Sequence, residues 1–243
     1  MTPTRLVIGP AHGLESIESP ATGALVGVST GYMSDARMDW ARLLDRAGSV
    51  SQGAVEISAL SGPELPSLMR WSNQVDPPPF EYISVHSPTK DIRVEPSELA
   101  RQLDELPEWV TSIVLHPDTL GRPQAFRALR TRLVLENMDF RKLSGRYASE
   151  LESIFDVLPE AGFCLDVAHA GSLDPSMELA HALLDRFQHR LRQIHLSALD
   201  ADGHHISITE GDWDSFASVL RRCPKVPIIF EAPPPTWLLQ TDH

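Results

Sequence analysis

Eight short β-branched or apolar runs, each finishing on a polar residue, recur along the chain: "ALVGVST", "GAVEIS", "YISVH", "SIVLH", "RLVLEN", "GFCLD", "RQIHL" and "VPIIFE". Glu56, His86 and His116 are spaced 30 apart; Glu136 follows after 20, Asp166 after 30, His195 after 29 and Glu231 after 36. About 30 residues is the length of one β-helix-β step. Most intervals hold an amphipathic helical pattern, as in "DARMDWARLLDRAG", "SELARQLDELPEW", "YASELESIFDVL", "SMELAHALLDRFQHR" and "WDSFASVLRRC". Strands alternating with helices imply a parallel sheet, and eight strands close into a barrel. The expected fold is therefore α/β, a single (β/α)8 barrel over residues 1–243 with residues 1–23 as an N-terminal extension able to cover one end. Only 12 residues follow Glu231, so the final helix is expected to be short or missing. An open, doubly wound sheet is the competing architecture, although no GxGxxG follows a strand to support its dinucleotide-binding form.

Right-handed crossovers bring all strand C-terminal ends to one rim. His86, His116, Glu136, Asp166, His195 and Glu231 would then converge on one funnel. Carboxylates buried side by side repel each other and desolvate poorly. Divalent cations remove that cost, and the mixed imidazole and carboxylate set suits zinc, with manganese or iron as alternatives.

The rest of the sequence narrows the class further. The net charge is 21 − 33 = −12, against a broad electrostatic grip on nucleic acid. No apolar run approaches the roughly 18 residues of a membrane span. "MTPTRLVIGPAHGLES" lacks a secretory signal pattern, and two distant cysteines, Cys164 and Cys223, give no disulfide framework. A cytoplasmic, soluble protein is expected, with no membrane partner.

"SVHSP", "VLHPD", "LENMD", "CLDVAHA", "IHLSALDADGHH" and "IIFEAP" resemble the xylose isomerase-like TIM barrels, and in particular the endonuclease IV branch. The resemblance runs from about residue 24 to 235. It implies a three-zinc phosphodiesterase site whose nine ligands would be His86, His116, Glu136, Asp166, His169, His195, Asp202, His204 and Glu231. Because His205 follows directly, the inward-facing imidazole is either His204 or His205; His204 is the expected one. The superfamily's sugar isomerases and epimerases need only a single ion on the counterparts of Glu136, Asp166, His195 and Glu231, with the two glutamates moving protons.

The loops depart from the endonuclease pattern. "ISALSGPELPS" has no arginine or aromatic wedge for the minor groove, and "STGYMSDARMDW" lacks the family's early histidine. Nucleic acid is thus a disfavoured partner, and a small anionic or sugar substrate the expected one. The resulting expectation is a multinuclear phosphoester hydrolase with Glu136 and Glu231 as catalytic groups; a single-metal isomerase or epimerase and a non-catalytic metal-holding scaffold are the alternatives. Asn137, Lys90, Arg141 and Lys142 are candidate substrate contacts, although solvated loop charge is the plainer reading of the three cations. Glu56 is expected either to support a ligand imidazole or to anchor a loop. Trp237 is expected to be a packed tail residue rather than a lid, and Cys164 a core residue. His12, His181, His189 and His243 are expected at the surface.

Overall fold

The computed structural model describes residues 6–8 and 24–241. The expectation that residues 1–23 cover a barrel end therefore lies, apart from Leu6–Ile8, outside the described residues, as do His12 and His243. The strands are β1 (Leu6–Ile8), β2 (Val26–Ser29), β3 (Ala54–Ser58), β4 (Tyr82–His86), β5 (Ser112–Leu115), β6 (Leu133–Glu136), β7 (Gly162–Asp166), β8 (Leu191–Leu196), β9 (Ala198–Leu199), β10 (His205–Ile206), β11 (Ile228–Phe230) and β12 (Leu239–Thr241). The helices are α1 (Trp40–Val50), α2 (Leu65–Ser72), α3 (Pro96–Asp104), α4 (Ala148–Val157), α5 (Val167–Leu173), α6 (Glu178–Phe187) and α7 (Glu210–Leu220).

Strands β2 to β8 and β11 form a closed parallel barrel, with β11 pairing β8 on one side and β2 on the other. This is the (β/α)8 barrel expected from the sequence, and the open-sheet alternative is excluded. All eight polar-ended runs are barrel strands. Outside the barrel, β1 pairs antiparallel with β12, and β9 with β10 forms a small hairpin beyond the C-terminal end of β8.

Side-chain alternation divides the core in two. Val55, Ile57, Ile83, Val85, Ile113, Leu115, Phe163, Leu165, Ile194 and Phe230 point outward and are buried beneath the helices. The inner face is narrower, and Val114, Val134 and Cys164 fill part of it as a separate small cluster. Gly27 is needed on that face, since a Cβ there would run into the Ala54 carbonyl of the adjoining strand.

Local chemistry sets the helices. Asp39 caps α1, accepting from the Arg42 amide at 3.2 Å, and the helix buries Trp40, Leu43, Leu44 and Ala47 in one stripe. Thr209 and Asp212 form a reciprocal capping box at α7. Between β5 and β6 the chain winds as 3-10 turns over Pro123–Arg132, with Phe126 and Leu129 buried at the three-residue spacing that winding requires. After β11 only a 3-10 turn, Thr236–Leu238, precedes β12, so among the described residues the barrel lacks a final α-helix. None of the described helices is long and apolar enough to cross a membrane.

Candidate metal centre

The strand ends carry the acids and imidazoles into one funnel. His86, Glu136 and Asp166 are the last residues of β4, β6 and β7, His195 is the penultimate residue of β8, and His116 and Glu231 follow β5 and β11 directly. A short α5 starts immediately after β7, with Asp166 as its cap, accepting from the His169 amide at 2.7 Å. One turn of helix then places His169 beside the same carboxylate.

Potential ligand atoms gather in overlapping groups, each with all members within 4.8 Å of one another. The first is His86, His116 and Glu136; the second is Glu136, Asp166, His195 and Glu231; the third is Asp166, His169 and His205. Glu136 belongs to the first two groups, through different oxygens. Its Oε2 is 3.2 Å from His86 Nε2 and 3.4 Å from His116 Nε2, while its Oε1 is 3.4 Å from His195 Nδ1. His195 Nδ1 is also 3.5 Å from Glu231 Oε1. The edge of a tetrahedron with zinc-ligand bonds of about 2.1 Å is about 3.4 Å.

The polar atoms left over are those such ions would use. Glu136 Oε1, Asp166 Oδ2, His195 Nδ1 and Glu231 Oε2 are buried with no hydrogen-bond partner. Orphaned buried acceptors of this kind are costly, so the residues fit a group of divalent cations. Other atoms fix the rings. His86 Nδ1 lies 2.8 Å from the Ser87 carbonyl and His169 Nδ1 lies 2.8 Å from that of Asn137, which frees each Nε2.

The electrostatics of the protein alone show the strain of this arrangement. Burial would lower the His169 pKa, but Asp166, Glu136 and Glu231 outweigh it and hold the imidazole up at about 10. Burial, with Glu136 and Asp166 adding to it, pushes Glu231 well above the usual carboxylate range despite the opposing pull of His195. Glu136 is held well below that range: burial opposes ionisation, but His195, His116 and His169 overcome it. His205 is pushed down to about 4, mainly by burial.

Several expected site residues lie elsewhere. Asp202 and His204 do not join His169; they form an exposed group with Asp200 in the β9–β10 hairpin, and the His204 side chain is 73% exposed. His204 Nδ1 is 3.2 Å from Asp200 Oδ2, at the outer rim. The inward imidazole is that of His205, the first residue of β10, which joins the Asp166 and His169 group while His204 lies just before the strand; its Nδ1 is 2.8 Å from Ser197 Oγ. Asn137 is not free for substrate either. Its side chain donates to the Asp166 carbonyl and accepts from the Asp166 amide, both at 2.9 Å, stapling β6 to β7.

A cavity of about 650 Å³ opens above the cluster, lined in part by Ser29, Tyr32, Lys90, His116, Lys142 and His205. Lys90 is exposed there, Lys142 pairs with Asp118 at 2.6 Å, and Arg141 grips Asp139 and donates to the Asp202 carbonyl at 3.2 Å. Trp237 packs edge-on to Trp213 with ring centroids 6.4 Å apart and belongs to the core rather than to a lid.

Below the cluster lies a polar layer that sequence reasoning only grazed. Glu56 is fully buried one register step beneath Ser58, which pairs with His86. Its Oε2 accepts from Gln193 Nε2 at 2.6 Å and Ser84 Oγ at 3.2 Å, and lies 3.1 Å from His195 Nε2. Its Oε1 is buried without a hydrogen-bond partner. Tyr82 in turn donates to Gln193 Oε1 at 2.9 Å. Gln193 was legible: two residues before His195 on a strand, it must share that residue's face.

No protein-family model matches the chain, and no curated protein matches it in sequence. Solved structures do match. A D-tagatose 3-epimerase-like protein is 17% identical with a TM-score of 0.56, over 85% of this chain and 90% of that one. Endonuclease IV from Thermus thermophilus is 18% identical with a TM-score of 0.51, over 86% of this chain and 91% of that one. An L-ribulose 3-epimerase is 11% identical with a TM-score of 0.53, over 88% of this chain and 84% of that one. The chain shares the barrel fold of these two epimerase structures and of the endonuclease.

Proposed function

We propose that the protein is a divalent-metal-dependent hydrolase of phosphoester bonds, built around more than one ion, with zinc the best fit to its ligands. The observation that carries this reading is Glu136. Its two oxygens face two different ligand groups, His86 with His116 on one side and Asp166, His195 and Glu231 on the other. A carboxylate so placed would serve two neighbouring cations at once, which a single-ion centre does not require. Bound ions supply Lewis acidity, polarising a phosphoryl oxygen and acidifying an attacking water.

The chain's own groups complete the site. Glu136 and Glu231 are the catalytic carboxylates: Glu136 orients the attacking water, and Glu231, ionised once a cation displaces its proton, would hold an ion beside the leaving oxygen. Asp166, His169 and His205 form a third seat. Lys90, exposed at the cavity wall, attracts an anionic substrate, whereas Lys142 is engaged by Asp118. Arg141 is committed to Asp139 and acts as a loop clasp. With no wedge residue in the loop after β3 and a net charge of −12, a small phosphoester suits the cavity better than duplex DNA.

A second reading is favoured by the self-sufficiency of the Glu136, Asp166, His195 and Glu231 group. One ion there would serve a sugar isomerase or epimerase, with the two glutamates exchanging protons with a carbon. Elemental analysis after zinc or manganese loading, combined with assays on bis(p-nitrophenyl) phosphate and on ketohexoses, separates the two. The expected outcome is about two to three ions per chain with phosphodiester turnover. One ion with ketose interconversion would establish the second reading; ions without either activity would leave a metal-holding scaffold.

A further inference from the structure

The question left by the polar layer is why a carboxylate should be buried beneath the centre, out of reach of substrate. Glu56 Oε2 gathers three groups: Ser84 Oγ, Gln193 Nε2 and His195 Nε2. Tyr82, by donating to Gln193 Oε1, turns the Gln193 amide so that its nitrogen faces Glu56. Gln193 Nε2 also lies 2.6 Å from His195 Nε2, so two nitrogens converge on one carboxylate oxygen.

Two tautomers of His195 are open. With the proton on Nδ1, Nε2 would present a lone pair to the buried Glu56 carboxylate at 3.1 Å, although Gln193 Nε2, 2.6 Å away, could donate to it. The Nδ1 proton would meanwhile lack a hydrogen-bond acceptor, because Nδ1 has no partner. With the proton on Nε2, the ring donates to Glu56 and turns the Nδ1 lone pair toward Glu136 Oε1 and Glu231 Oε1. Three electron pairs then meet, which only a cation reconciles.

We infer that Glu56 is the positioning residue of the centre: it holds the Nε2 proton of His195, fixes the ring, and so makes Nδ1 the atom that takes the ion. This rests on the reading that Glu136, Asp166, His195 and Glu231 bind a divalent cation. One oxygen of Glu56 also lies within 4.8 Å of ligand atoms of His86 and Glu231, but Oε2 is engaged by Ser84, Gln193 and His195. Gln193 and Tyr82 hold Glu56 in turn, so the support extends from the rim down to the layer of Tyr82.

The test uses the full chain loaded with zinc. Long-range proton–nitrogen correlation spectra of histidine-labelled protein report the tautomer, with the His195 signal identified by its loss in His195→Ala. The expected wild-type spectrum shows His195 protonated at Nε2 and metal-shifted at Nδ1. In Glu56→Gln, which preserves volume, zinc affinity measured by competition with a chromophoric chelator should fall about 10- to 100-fold. Glu56→Leu should fall further, and both should keep the wild-type far-ultraviolet circular dichroism. Wild-type protein that binds zinc through His195 Nε2, or a Glu56→Gln affinity within twofold of wild type, would overturn the inference while sparing the metal centre. Wild-type protein that binds no zinc would overturn both.

Discussion

At the scale of single residues, what distinguishes this molecule is the protonation that its acids impose. Without a counter-ion, the funnel recruits protons: His169 is held up at about 10 by neighbouring carboxylates that outweigh its burial, and Glu231 well above the carboxylate range by burial first and by Glu136 and Asp166 with it. The sign for His169 follows from its unfolded value near 6.5: its contribution to stability is complete below about 6.5 and is lost as pH rises toward about 10. Bound cations must displace those protons. Zinc uptake at neutral pH should therefore release protons, and apparent affinity should strengthen as pH rises from 6 to 9. Titration calorimetry in two buffers of different ionisation enthalpy measures both, and a buffer-independent heat would contradict the charge state described. Much of the site was legible at this scale, because a polar residue ending an apolar run is visible without a structure. His204 against His205 was not. His205 is the first residue of β10 and His204 the last before it, so the point where the hairpin's pairing begins decides which imidazole turns inward.

At the scale of elements, the β9–β10 hairpin stands outside the barrel sheet and carries His205 to the cluster. It is held from outside by Arg141, which joins Asp139 after β6 to the Asp202 carbonyl in the turn. Gly203 is required there twice over. Its φ is +79°, and a Cβ would strike the Arg141 guanidinium. Gly203→Ala should loosen the clasp, raise amide exchange across residues 198–206, and lower the number of bound ions by the one that His205 helps to hold. Unchanged exchange and ion count would show that the hairpin is fixed by other means. The eight barrel strands were readable because their period of about 30 residues is long and strong. The 3-10 stretch Pro123–Arg132 has too few apolar residues to mark a helix, and α5 was hidden because its first turn is also the ligand-bearing "DVAHA". Asn137 was misjudged for a related reason: its neighbour Glu136 faces the funnel, but Asn137 faces β7.

At the scale of the whole molecule, the barrel closes through β11 pairing with both β8 and β2, without a helix among the described residues to cover its last strand. Ligands of the four-residue group come from β6, β7, β8 and the end of β11, four neighbouring strands, so the set is complete only when the last barrel strand has docked on β8. That closure has a kinetic corollary. A chain whose last strand is still undocked offers the ion an incomplete set of donors, and binding energy then accrues after the folding barrier rather than before it. Saturating zinc should slow denaturant-induced unfolding by orders of magnitude, while the refolding rate stays within a few-fold of its value in chelator. Stopped-flow chevrons recorded with and without zinc would show this as a shift in one limb alone; a parallel rise in the refolding limb would mean that the donors assemble early. The ring of donors would thus act as a latch, engaging once the cylinder has shut and resisting its reopening.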